Sequence, residues 1–126
     1  MEKPKVIGTG FVVSYVDDFE PNFKFYSGVL GMEKSFEMTE QECFFRIGEN
    51  KFGLLLCGGY KSRLNTGEFV QASYILKTES ASAMHAHLKA HGAKIVQDAP
   101  VDMGENDFWF QFFDPAGNML QMLGGK

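Results

Sequence analysis

Histidine, cysteine and tryptophan are scarce in this chain, at three, two and one of 126 residues. All three histidines fall within positions 85 to 91, so a catalytic or metal site built elsewhere has no imidazole to use. Cys43 and Cys57 lie in apolar runs that read as strands. With no export signal in the chain, two such thiols are expected to be reduced core residues and not a disulfide. Long apolar runs are missing too. The stretch after Lys3 and Lys5 is broken by Gly8, Gly10, Ser14, Asp17 and Asp18, which excludes a signal-peptide core and a membrane span and points to the cytoplasm. Basic residues number 12 against 16 acidic ones, for a net charge of -4, and they are scattered. No stripe of cations awaits a phosphate backbone, so nucleic acid is not an expected partner.

What the chain has in quantity is phenylalanine, 13 residues in an ordinary composition of 44% hydrophobic and 22% charged. That size and balance suit one compact domain over residues 1–126. The densest stretch is 107–123, DFWFQFFDPAGNMLQML. Phe108, Trp109, Phe110, Phe112 and Phe113 fit a pleated, half-buried surface. Pro115, Gly117 and Asn118 then supply a turn and Met119 to Leu123 a second apolar run, so the stretch predicts a hairpin. The period of two puts Trp109 and Gln111 on one face, and each strand carries one glutamine, Gln111 and Gln121.

From the N-terminus, Ile7 to Val16 reads as a strand. Asp17 and Asp18 supply an N-cap and first-turn charge for a helix whose face is Phe19, Phe23, Tyr26 and Leu30 and whose stop is Gly31. Strands follow at Lys34–Met38, Glu42–Ile47 and Lys51–Cys57. Residues 58–68, GGYKSRLNTGE, mark a connector. Next come a strand from Phe69 to Lys77 and a helix from Ser80 to His91, with Ala81, Met84 and Leu88 on one face and Gly92 as its stop. A strand at Lys94–Gln97 and a turn-rich crossing from Asp98 to Asn106 lead into the hairpin. Each half is therefore βαβββ, and repeated units of this kind bury together what neither buries alone. The expectation is an α+β fold in which modules 6–57 and 69–123 form a curled eight-stranded mixed sheet around a cavity, helices outside.

The runs VDDFEPNFKFYSGVLGM (16–32) and FFDPAGNMLQM (112–122) resemble the signatures of the vicinal oxygen chelate superfamily. It includes glyoxalase I, extradiol dioxygenases, fosfomycin-resistance enzymes and bleomycin-resistance proteins. The resemblance implies the paired-module fold and a two-fold homodimer. In metal-dependent relatives it also implies a divalent ion, held by one His, Gln or Glu from the first and last strand of each module, that polarises vicinal oxygens of the substrate. The four positions fall on Phe11, the segment Leu55 to Cys57, Ser73 with Gln71 as the nearest substitute, and Gln121. Phe11 has no ligating atom, residues 51–67 contain no acid and no histidine, and Gln121 is a neutral amide. Such ions want imidazole, carboxylate or thiolate in numbers, so no metal and no cofactor are expected.

Other constellations read as structure. His85, His87 and His91 are expected to oppose the Ala81, Met84 and Leu88 face and to be solvated, although His87 and His91 have a chelating i, i+4 spacing. Cys57 reads as a buried thiol before it reads as a nucleophile. Arg46 either clamps an anionic ligand or faces solvent near Glu42. Phe11, Val13, Trp109, Gln111, Met119 and Gln121 are expected to line a small-molecule pocket, with Arg46, Cys57 and Ser73 as further members; a filled core competes for the same aromatics. Three functions stay open: a metal-independent binder of a small, planar organic molecule, a metal-dependent lyase or dioxygenase of the glyoxalase I type, and an interaction module with a vestigial cavity.

Overall fold

The computed structural model describes Pro4 and residues 11–49, 52–59 and 73–126. In chain order they form β1 (Val12–Tyr15), α1 (Phe19–Lys24) running into a π-helical turn (Phe25–Val29), β2 (Glu33–Thr39), β3 (Glu42–Ile47) and β4 (Phe52–Cys57). The second half gives β5 (Ile75–Ser80), α2 (Ala81–Ala90), β6 (Val101–Asp102), β7 (Phe108–Phe113) and β8 (Met119–Gly125). The expected α+β architecture of two βαβββ modules is present. Its strands fall into two four-stranded mixed sheets, ordered β1-β4-β3-β2 and β5-β8-β7-β6, which do not close into a barrel. In each sheet the first and last strands of the module are parallel neighbours and the other pairings are antiparallel. Among the described residues no helix is long and apolar enough to cross a membrane.

Strand alternation divides each sheet into two faces. The helix-side faces share one core: Tyr26, Phe45, Leu54 and Leu56 of the first module with Ala81, Leu88, Phe110, Phe112, Leu120 and Met122 of the second. The opposite face of the first sheet carries a separate small cluster, Phe44, Leu55 and Cys57 with Val13.

The two signature runs meet across this core. Tyr26 reaches Asp114, the buried amide of Asn22 accepts from Ala116 N at 3.1 Å, and Asn118 Nδ2 donates to Tyr15 O at 2.9 Å. Inside the turn Asp114 Oδ1 accepts from Asn118 N at 2.8 Å, and Gly117 supplies the φ of +92° that an L side chain resists. These stretches act as a clasp between modules.

Several local expectations are corrected. The first helix is α only to Lys24, and its last turn is π, with Leu30 N donating to Phe25 O. Asp18 stands at the N-cap without a capping side chain; Asp17 Oδ1 instead accepts from Asp18 N. Ser80 does cap α2, accepting from Ala83 N at 3.1 Å. The strand expected at Lys94–Gln97 is a single bridge, Ile95 to Phe112, while the crossing holds the second strand of the module, β6, paired through Val101 and Trp109. The extended edge of β7 is long enough to pair both segments, which periodicity in so short a run does not reveal. The expected segments Ile7 to Gly10, Lys51, and Tyr60 to Ala72, which include Gln71 and most of the connector, lie outside the described residues.

Candidate functional site

The residues expected to line a pocket fall into two sets, one on the helix-opposed face of each sheet. On the first sheet Val13 pairs with Leu55 and packs with Phe44 and Cys57. Phe11 sets its ring edge-on to Phe44, centroids 5.2 Å apart, and Arg46 lies 4.7 Å over the same ring. On the second sheet Gln111 stands directly across from Gln121, Trp109 from Leu123 and Phe113 from Met119. Ser73, just before β5, donates to Met119 O at 2.8 Å. Both faces leave large apolar side chains in solvent: Phe11 is 50% exposed, Phe36 48%, Ile75 54% and Val101 40%.

The amides on the second face are held in fixed orientations. Trp109 Nε1 donates to Gln121 Oε1 at 2.7 Å. Gln111 N donates to Gln97 Oε1 at 2.7 Å, and Gln97 Nε2 donates to Gln111 Oε1 at 2.9 Å. Gln97, which the sequence places at the end of an expected strand, therefore joins the candidate site. The signal for it was a third glutamine close to β7 in sequence, but only the pairing of the 94–97 segment with that strand brings it there. Among the described residues Gln111 Nε2 has just the thioether of Met119 as acceptor, at 3.2 Å.

Among the described residues, the four positions onto which the family resemblance carries metal ligands offer an ion few groups. Phe11 offers carbon. Cys57 is buried 3.8 Å from Glu42 Oε2, and burial first, then the Glu42 charge, push its thiol above the ordinary range, so the thiolate that would bind is disfavoured. Ser73 Oγ is committed to a backbone carbonyl. Gln121 has one ligating atom, its neutral amide oxygen, which already accepts from the Trp109 indole. Among the described residues no three His, Cys, Asp or Glu side chains converge.

His85 departs from expectation. Positions 81, 85 and 88 share a helix face, and His85 is 8% exposed with its ring edge-on to Phe110 at 5.0 Å. Its Nε2 donates to Gln97 O at 2.9 Å. His87 and His91 are exposed, as expected; their rings lie 4.4 Å apart and bond to Val29 O and His87 O. Arg46 lies on the helix-opposed face and also borders a cavity of about 190 Å³ at the module junction, floored by Met32, Met84 and Met122 with Lys77 beside it.

No curated protein sequence matches the chain. Solved structures share its fold. FosX from Listeria monocytogenes, a genomically encoded fosfomycin resistance protein, superposes with a TM-score of 0.75 at 17% identity, covering 97% of this chain and 94% of that one. Lactoylglutathione lyase from Agrobacterium tumefaciens gives 0.69 at 19% identity, covering 98% and 96%. The integron cassette protein HFX_CASS4, from the mobile metagenome of Halifax Harbour Sewage Outfall, gives 0.71 at 18%, covering 94% and 99%. At these identities the likeness concerns the fold alone. The family model of the Glyoxalase/Bleomycin resistance protein/Dioxygenase superfamily matches residues 8–122, nearly the whole chain, and the chain belongs to that superfamily.

Proposed function

We propose that this protein binds a small, planar organic molecule without a metal, on the face that carries Trp109, Gln111 and Gln121. The observation that carries the reading is the half-buried Trp109 set among oriented amides, an apolar platform with a few placed polar groups, which is the usual make-up of a ligand pocket. Exposed Phe11, Ile75 and Val101 support pairing of two copies, so that the first-sheet face of one protomer closes over the second-sheet face of the other. In this reading residues 1–126 form one domain. Phe11, Val13 and Met119 line the closed pocket, with Arg46, Cys57 and Ser73 at its margin. The free thiols of Cys43 and Cys57 suit a cytoplasmic protein.

Trp109 is the only tryptophan, so its emission reports on this face alone. Titration with planar aromatic compounds quenches or shifts it saturably, and Trp109→Ala weakens binding by roughly 1 to 3 kcal/mol, the range of a buried aromatic anchor. If no compound moves the emission and external quenchers fail to reach the ring, Trp109 is core and the reading is lost. Stoichiometric zinc, nickel, manganese or iron in the purified protein would overturn its metal-independent part. Sedimentation at micromolar concentration showing only a 14.1 kDa species would overturn the pairing.

A further inference from the structure

The polarity of the amides narrows the ligand further, on the reading that the Trp109 face is the binding face. An indole N–H only donates, so the atom of Gln121 that sits 2.7 Å from Trp109 Nε1 is the amide oxygen. A backbone N–H likewise only donates, which fixes Gln97 Oε1 toward Gln111 N and leaves Gln97 Nε2 to donate into Gln111 Oε1. Chemistry therefore sets both orientations. Each glutamine on the face has its oxygen committed within the protein and its NH2 group left over. Among the described residues Gln111 Nε2 meets only a thioether, a weak acceptor, and nothing accepts from Gln121 Nε2. The two residues stand directly across the β7–β8 pair, with Cβ atoms about 5 Å apart in such a pair, so both NH2 groups can converge on one ligand atom.

We propose that this face selects planar carbonyl compounds, aryl ketones or quinones, whose oxygen accepts from Gln111 and Gln121 while the ring stacks on Trp109. Ligands that present an N–H or O–H at that point are disfavoured, because among the described residues both amide oxygens are already turned toward a protein donor and a ligand donor left poorly paired is desolvated at a cost. Trp109 is then a positioning residue as well as a platform, since its N–H holds the Gln121 amide in the donating orientation.

Three tricyclic probes of one shape separate the possibilities: fluorenone carries an acceptor, carbazole a donor and fluorene neither. Titrated into the intact 15N-labelled protein, fluorenone is expected to bind about tenfold more tightly than fluorene, the ratio that one net hydrogen bond supports. It should move the side-chain NH2 signals of Gln111 and Gln121 together with the Trp109 indole signal. Carbazole should bind less tightly than fluorenone. Gln121→Leu should narrow the ratio of fluorenone to fluorene affinity, Gln111 still donating, and the further change Gln111→Leu should abolish it. Trp109→Phe keeps a ring but frees the Gln121 amide to rotate, so the preference for fluorenone over carbazole should shrink. Equal binding of all three probes, or tighter binding of carbazole, overturns this polarity and leaves the Trp109 face as a binding site. If none of the three moves the Trp109 signal, the binding site itself is wrong and the polarity falls with it.

Discussion

The phenol of Tyr26 donates to Asp114 Oδ2 at 2.7 Å, joining the first helix to the turn of the last hairpin. With its single proton given to the carboxylate, Tyr26 oxygen accepts from Ser14 Oγ at 3.2 Å and from Tyr74 OH at 3.3 Å. Asp114 in turn takes Asn118 N and Nδ2. Desolvation by burial raises the Asp114 carboxyl above its ordinary value, while the bonds from Tyr26 and Asn118 pull it back. The cluster is a fully partnered polar lock inside an apolar core, and it explains why a Tyr in one signature run and an Asp in the other belong together.

Tyr26→Phe should cost about 1 to 3 kcal/mol in urea unfolding, because a buried carboxylate loses its shortest donor. The loss should depend on pH. Without the phenol the Asp114 carboxyl rises further, and a raised acid costs stability that sets in as pH climbs past its unfolded value and is complete above its folded one. The penalty of Tyr26→Phe is therefore largest near neutrality and shrinks as acidification protonates Asp114. An equal penalty at pH 7 and in the acid range would mean that Tyr26 does not act through that charge.

The alkaline side has the same sign. Burial holds Tyr26 well above 10.0 and Tyr74 up to about 12. An unfolded chain gives up phenol protons near the ordinary value of 10.0, so between pH 10 and 12 the unfolded state has lost protons that the native state keeps, and stability falls as pH rises through that window. Tyr74→Phe should flatten this fall, by on the order of 2 to 3 kcal/mol at its upper end for a two-unit shift. Phenolate absorbance that develops at pH 10 with the fold intact, from both buried tyrosines, would refute the burial argument.

What was legible in the sequence is what local chemistry decides. Pro115, Gly117 and Asn118 dictate a turn, and Gly92, at a φ of +78°, stops α2, so the hairpin and both modules could be placed from residue types alone. The π turn at Phe25–Val29 was not legible. Tertiary bonds from Tyr26 to Ser14, Tyr74 and Asp114 fix that ring, and no neighbour in sequence signals them. The site splits along the same line. Alternation put Trp109 and Gln111 on one face, but the orientation of each amide depends on Gln97 and on a cross-strand indole, which pairing alone decides.

His85 supports that pairing from behind. Its Nε2 holds the Gln97 carbonyl at 2.9 Å while the Gln97 side chain holds Gln111. His85→Leu keeps the volume against Phe110 and removes the donor, for an expected loss of about 1 to 3 kcal/mol. The Gln97 and Gln111 amide signals should broaden as the segment loosens, while the Trp109 indole signal stays in place. A variant with the lost stability and unchanged glutamine signals would show that His85 serves only the core.

Phe11→His, Ser73→His and Gln121→Glu restore ligating groups at three of the four positions at which metal-dependent relatives hold their ion. Zinc binding by this triple variant, measured by competition with a chromophoric chelator, should be weak. The fourth position offers only Leu55 and a protonated Cys57, whose thiol burial and Glu42 push up. The new carboxylate at position 121 would still accept from Trp109 Nε1, the donor that now holds the Gln121 oxygen. Phe11 and the segment Leu55 to Cys57 lie at one sheet and Ser73 and Gln121 at the other, so the ion gains all its ligands only where two sheets face each other. Adding Leu55→Glu should therefore strengthen binding and make it follow protein concentration through pairing of copies. Tight zinc binding by Gln121→Glu alone, independent of concentration, would mean that ligands already exist on the second sheet and that the metal-independent reading is wrong.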